Sequence, residues 1–139
     1  IGDKAGALED YTLSLKVNKR QSNVYNNRGI ILASIGEQEK AIEDYTRALE
    51  YNSNYAAAFN NRGTSYTALR NYNLATADYK KAIEINPSYA TAIANLGIVL
   101  EATGYMSEAC RHWNRASELG HQQSGEWVLK QCSSLQFSK

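Results

Sequence analysis

Apolar and small residues along this chain recur every three or four positions, in blocks separated by short breaks. Within residues 22–55, Tyr25, Arg28, Gly29 and Leu32 share one helical spacing. After a break at Gly36, Ala41, Tyr45, Ala48 and Leu49 resume the same period. The pattern predicts two helices of about 14 residues joined by a short turn, a hairpin whose apolar face needs a neighbour to cover it.

The neighbour is supplied by repetition. Asn26-Asn27-Arg28-Gly29 returns as Asn60-Asn61-Arg62-Gly63, and an echo, Ala94-Asn95-Leu96-Gly97, follows at the same step of 34 residues. Ala41, Ala75 and Ala109 keep the register, as do Tyr45, Tyr79 and Trp113, and Ala48, Ala82 and Ala116. Counting backwards, Gly36 falls on Gly2, Ala41 on Ala7 and Tyr45 on Tyr11. The chain therefore divides into the second helix of a truncated repeat (1–21), three full repeats (22–55, 56–89 and 90–123) and a capping helix with tail (124–139). A glycine inside a helix costs roughly 1 kcal/mol against alanine. Gly29, Gly63 and Gly97 are therefore expected where one helix crosses another closely, with Tyr45, Tyr79 and Trp113 filling the gaps between hairpins.

These columns resemble the tetratricopeptide repeat, whose pattern sets an aromatic, Leu-Gly, Tyr, Ala, Phe, Ala and Pro at fixed offsets. The second repeat supplies Phe59, Arg62-Gly63, Tyr66, Ala75, Tyr79, Ala82 and Pro87; the third supplies Ile93, Leu96-Gly97, Leu100, Gly104, Ala109, Trp113 and Ala116. The resemblance implies an all-α, right-handed superhelical solenoid of antiparallel helix pairs, with about eight helices. It identifies the scaffold better than the job.

Two departures carry information. Arg28 and Arg62 stand where the family usually has Leu, and Asp44 and Asp78 precede the aromatic in the same repeats. In the third repeat both change together, to Leu96 and His112. The covariation predicts a structural Arg–Asp pair between packed helices; a partner-binding role for the arginines is the alternative. At the N-terminus, Ala7, Leu8, Tyr11 and Leu15 form one stripe that expects a first-helix partner upstream. At the other end, Gln122–Leu135 reads as a helix covering the last hairpin, with Lys130-Gln131 in place of Leu-Gly. The run from His112-Trp113 to Leu119-Gly120-His121 is also similar to Sel1-like repeats.

Composition narrows the chemistry. Fifteen basic and fourteen acidic residues leave a net charge of +1, so composition gives no electrostatic case for nucleic acid or an anionic membrane. No apolar run reaches the roughly 18 residues of a membrane span. No catalytic set, metal site or cofactor is expected. Gly120 and Gly125 imitate a phosphate loop, but Glu126-Trp127 replace its Lys and Ser/Thr. His112 and His121 are the only histidines and lack ligand spacing. Cys110 and Cys132 lack CxxC spacing and are expected to be reduced, although they fall on neighbouring elements where a bond is open to them. No signal peptide is visible, but a start at Ile1 without Met means that this says little about compartment, and a soluble, cytoplasmic protein is only slightly favoured.

In a tetratricopeptide array the first helices line the concave face. The resemblance places Asn23, Asn26, Asn27 and Ile30, then Asn60, Asn61 and Thr64, then Asn95, Ile98 and Glu101 on that lining. Carboxamides offer both donors and acceptors. A row of Asn27, Asn61 and Asn95 suits the backbone of an extended peptide and reads little of its side chains. The groove positions carry no Lys or Arg, which argues against the acidic tails gripped by related chaperone-binding modules. The expected function is a non-catalytic scaffold or adaptor that binds an extended peptide or helix of a partner protein. The alternatives are a self-assembly module that associates through residues 4–17, and the targeting domain of a larger protein.

Overall fold

The computed structural model describes residues 3–137, so Gly2, which the repeat register matched to Gly36, lies outside the described residues. Eight α-helices follow one another among the described residues: α1 (Lys4–Val17), α2 (Ser22–Ser34), α3 (Gln38–Tyr51), α4 (Ala56–Ala68), α5 (Tyr72–Ile85), α6 (Ala90–Ala102), α7 (Met106–Glu118) and α8 (Gln122–Trp127). Each repeat is a pair, α2 with α3, α4 with α5, α6 with α7, and each second helix then packs on the next first helix. The all-α solenoid expected from the columns is the observed architecture.

The alanine columns explain how the pairs approach. Ala41, Ala75 and Ala109, and likewise Ala48, Ala82 and Ala116, are fully buried at the crossing points. Tyr45, Tyr79 and Trp113 are each at most 2% exposed. Each lies over the glycine of its own hairpin's first helix. A Cβ built on Gly63 would sit 2.8 Å from Tyr79 Cε1, and one on Gly97 would sit 2.5 Å from Trp113 Nε1. Only a residue without a side chain fits there, and aromatic packing offsets its poor helix propensity. Tyr79 also reaches into the next repeat, joining Ala75, Leu96 and Val99 in one cluster.

Turns repeat as faithfully as helices. The second residue after each first helix turns into the left-handed region, Gly36 (φ +87°) after α2 and Gly104 (φ +91°) after α6, and the second repeat places Arg70 there with φ +59°. At the ends of the second helices, Asn18, Asn52 and Asn86 fold their side-chain oxygens back to accept from the amides of Arg20, Asn54 and Ser88. These asparagines stand 34 residues apart and close the repeat by an Asx turn.

The last segment departs from one straight helix. Beyond α8 the chain widens into a π-turn over Val128–Cys132 and tightens into a 3₁₀ segment over Ser133–Phe137. Here the expectation of reduced thiols is corrected: Cys110 of α7 and Cys132 form a disulfide, S–S 2.03 Å and Cα–Cα 5.8 Å. The two elements are brought together by the packing of Trp127 on Trp113, ring centroids 5.2 Å apart, a proximity that chain spacing alone does not encode. His121 caps α8, its Nδ1 accepting from the Ser124 amide, which gives that turn histidine a structural task.

Candidate functional site

The first helices form one row. α2 touches α4 and α4 touches α6, whereas successive second helices approach each other less. The helices α2, α4 and α6 therefore lie side by side along one face of the array, and this face carries the asparagines.

The asparagines are linked from repeat to repeat. Asn61 donates through Nδ2 to Asn26 Oδ1 at 3.1 Å, and Asn95 donates to Asn60 Oδ1 at 3.1 Å. The step is 35 residues, not 34, because adjacent first helices meet one position out of register. Asn26 and Asn60 are 4% and 5% exposed, so they form the inner rail of this ladder. Asn61 and Asn95 form the outer rail, half-buried, each with one amide hydrogen and the lone pairs of Oδ1 left over. Asn27 is half-buried and Asn23 exposed. Ala94 stands where a third inner asparagine would, and the ladder ends with Asn95.

The remaining expected residues divide. Ile30 is exposed and Thr64 is exposed beside Asn61, on the open face. Ile98 instead packs in part against Ala109, Cys110 and Trp113, at the core of the last repeat. Glu101 is half-buried near the end of α6.

The two arginines are turned into the helix interfaces. Arg28 donates from Nε and Nη2 to Asp44 at 2.7 and 2.8 Å, and Arg62 donates likewise to Asp78 at 2.8 and 2.8 Å. Their remaining Nη1 groups reach back to Thr12 and Thr46 of the preceding repeat. Hydrogen bonding to the aspartate holds each guanidinium above its ordinary range, against burial that works the other way. The structural pairing read from covariation is what the geometry shows.

Between α2 and α4 a cavity of about 330 Å³ opens on the asparagine row, lined by Ile30, Ala33, Gln38, Tyr45, Asn61, Thr64, Ser65 and Ala68, among others. Gln38, Tyr45 and Ser65 were not expected at the site. The available signal was that Ser65 interrupts a column otherwise filled by Ile31 and Val99. No described set of His, Cys, Asp and Glu residues is arranged to hold a metal ion. No described helix is long and apolar enough to cross a membrane.

The tetratricopeptide repeat family profile matches residues 22–55 and 56–89. A comparison with curated protein sequences finds no match. Among solved structures, MamA superposes with a TM-score of 0.80 at 24% identity, over 86% of this chain and 70% of that one. The first tetratricopeptide domain of Spaghetti (RPAP3), solved with an HSP90 peptide, gives 0.77 at 23% identity, over 82% and 92%. YrrB, described as a tetratricopeptide protein with an unusual peptide-binding site, gives 0.76 at 28% identity; the match covers 84% of this chain and 61% of YrrB. The repeat columns, the paired helices and these matches agree: residues 22–89 are tetratricopeptide repeats, and the described helices as a whole have the tetratricopeptide solenoid fold, a fold of protein-interaction scaffolds.

Proposed function

We propose that the chain is a non-catalytic adaptor that holds an extended peptide segment of a partner protein along the α2–α4–α6 row. The observation that supports this most is the outer rail of the ladder. Asn61 and Asn95 are each fixed by one bond to the preceding repeat and keep both a donor and an acceptor in reserve. Preorganised carboxamides one repeat apart suit the alternating N–H and C=O groups of an extended backbone. Each such bond contributes only about 0.5–1.5 kcal/mol, so Asn27, Thr64 and the apolar Ile30 add to the site. The neighbouring Spaghetti domain carries the peptide SRMEEVD, with its two Glu and one Asp. The groove positions here have no Lys or Arg to meet such charges, so an uncharged stretch is the better fit.

The test compares two pairs of substitutions that break the same ladder. Asn61→Ala/Asn95→Ala removes the outer rail, and Asn26→Ala/Asn60→Ala removes the buried inner one. Binding of a peptide selected from a displayed library, followed by fluorescence polarisation, should fall most with the outer pair, and less with the inner pair, which removes only the bonds that hold the outer carboxamides in place. Equal losses would reduce the ladder to a structural role, and unchanged binding in both would sink the groove reading.

A second reading rests on α1, which leaves Leu13 51% and Val17 91% exposed. Self-association through residues 4–17 would give a molar mass that rises with concentration in light scattering. A constant monomer mass removes it.

A further inference from the structure

Ser65 is 1% exposed, and its Oγ makes no hydrogen bond. The buried Oε1 of Gln38 has no partner either, because the amide's Nε2 is engaged, weakly, with the Ala33 carbonyl at 3.4 Å. Buried polar atoms without partners are rare enough to call for a reason. A third group lies beside them. Tyr45 is 2% exposed, and no described residue bonds its hydroxyl. All three side chains line the cavity between α2 and α4.

The next junction of the array shows that this is not a general property of the repeat. There the Tyr79 hydroxyl bonds Thr64 at 3.2 Å and Thr67 at 3.1 Å. The first repeat has Ile30 and Ala33 in place of those threonines. Val99 stands for Ser65 one repeat on, and Tyr72 and Met106 stand for Gln38. Among the described residues, this junction is the one where Gln38 and Ser65 leave buried hydrogen-bonding atoms unpaired.

The chemistry of the lining selects its occupant. No charged side chain lines the cavity, so a carboxylate or an ammonium would be desolvated without a counter-charge. Gln38 Oε1 can only accept, while the Ser65 and Tyr45 hydroxyls can each donate or accept. A primary carboxamide, with two N–H donors and one oxygen, answers all three, and Ile30, Ala33 and Ala68 give apolar walls to its stem. We propose that this junction is a side-chain pocket that receives one glutamine or asparagine carboxamide of the bound peptide. The proposal rests on the peptide-groove reading above and gives it a register: asparagines hold the backbone anywhere, and one carboxamide fixes where the chain stops sliding.

The test uses the folded 139-residue chain and a positional-scanning library of extended peptides. Each position in turn is fixed as Gln, Asn, Leu, Glu, Lys or Ala, with the others degenerate. The expected result is about a tenfold enrichment of Gln or Asn over Leu and Glu at one position. Gln38→Met/Ser65→Val, which installs the residues of the third repeat, should erase that enrichment while total peptide capture is kept. Ser65→Ala alone serves if the double variant fails to fold by circular dichroism. Capture without a Gln or Asn preference, or a preference that survives these substitutions, overturns the pocket and leaves the groove standing. No capture of any peptide by the folded parent chain overturns both.

Discussion

Arg62 and Asp78 share two parallel hydrogen bonds of 2.8 Å between the two helices of the second repeat, and Arg62 uses its remaining arm on Thr46 of the first. The pair is therefore a clasp within one hairpin and a tie to its neighbour. The aspartate is the vulnerable half, because it is only 5% exposed. Arg62→Leu strands that carboxylate and should lower stability by about 3 kcal/mol in urea denaturation. Arg62→Leu/Asp78→His, the combination found at Leu96 and His112, should recover at least half of the loss. Equal instability of the single and double variants would mean that the stranded charge is not the cause. Peptide capture should be unchanged in both, since the guanidinium faces Asp78 and Thr46.

Arg70 occupies a left-handed backbone position that the other two full repeats give to glycine. A side chain there costs roughly 1–2 kcal/mol of steric strain, partly offset because glycine loses more chain entropy on folding. Arg70→Gly should therefore raise stability by about 0.5–1 kcal/mol, and Gly36→Ala should lower it by a similar amount. A shift of the urea midpoint in the same direction for both variants would show that the strain argument fails.

The legible part of this molecule is the part that repetition writes three times. Alanine, glycine and aromatic columns at a 34-residue step disclosed the helix pairs, and the joint change of Arg and Asp to Leu96 and His112 disclosed the clasp. The asparagines were visible, but their division into rails was not. It follows from a one-residue offset between adjacent first helices, which sets the bonded pairs 35 residues apart and off the 34-residue column. Asn18, Asn52 and Asn86 carry a readable period, but a recurrent Asn at a helix end does not by itself show that its side chain closes an Asx turn. The cavity at Gln38 and Ser65 shows only as exceptions to columns. Exceptions acquire meaning once the missing hydrogen bonds can be counted in space.

Tyr45 and Tyr79 occupy equivalent positions with unequal hydroxyls, and solution pH separates them. Burial first, and then the charge of Asp44, push the Tyr45 phenol up to about 12 from its ordinary 10. Because the folded value is raised, the stabilisation is fully present below about pH 10, where the unfolded phenol is still protonated. It is lost as the pH climbs towards 12. Tyr79 is also raised by burial, with its bonds to Thr64 and Thr67 opposing, and adds to the same alkaline loss. Tyr45→Phe should therefore flatten the fall in urea stability above pH 10 and leave neutral stability nearly unchanged. Tyr79→Phe should cost about 1 kcal/mol at neutral pH, because its hydroxyl has partners to lose. If the two substitutions behave alike at pH 7, the asymmetry between the junctions is not real.

Reduction of Cys110–Cys132 tests how locally such an array holds its energy. The bond closes a loop spanning 22 residues of sequence, for which chain entropy alone predicts about 3 kcal/mol of stabilisation. In a solenoid each unit contacts only its neighbours, so the loss should not spread evenly. Val128–Cys132 is the segment that the disulfide ties to α7, and Trp127 just before it packs on Trp113, so a loosened cap would expose both indoles. A reductant should raise amide exchange across residues 122–135 by more than tenfold, leave α2 to α5 protected, and redshift tryptophan emission. The cap would then be locked where the surroundings are oxidising and loosened where they are reducing. Uniform acceleration of exchange along the whole chain would show instead that the eight helices unfold as one unit, and the nearest-neighbour picture of this array would have to be given up.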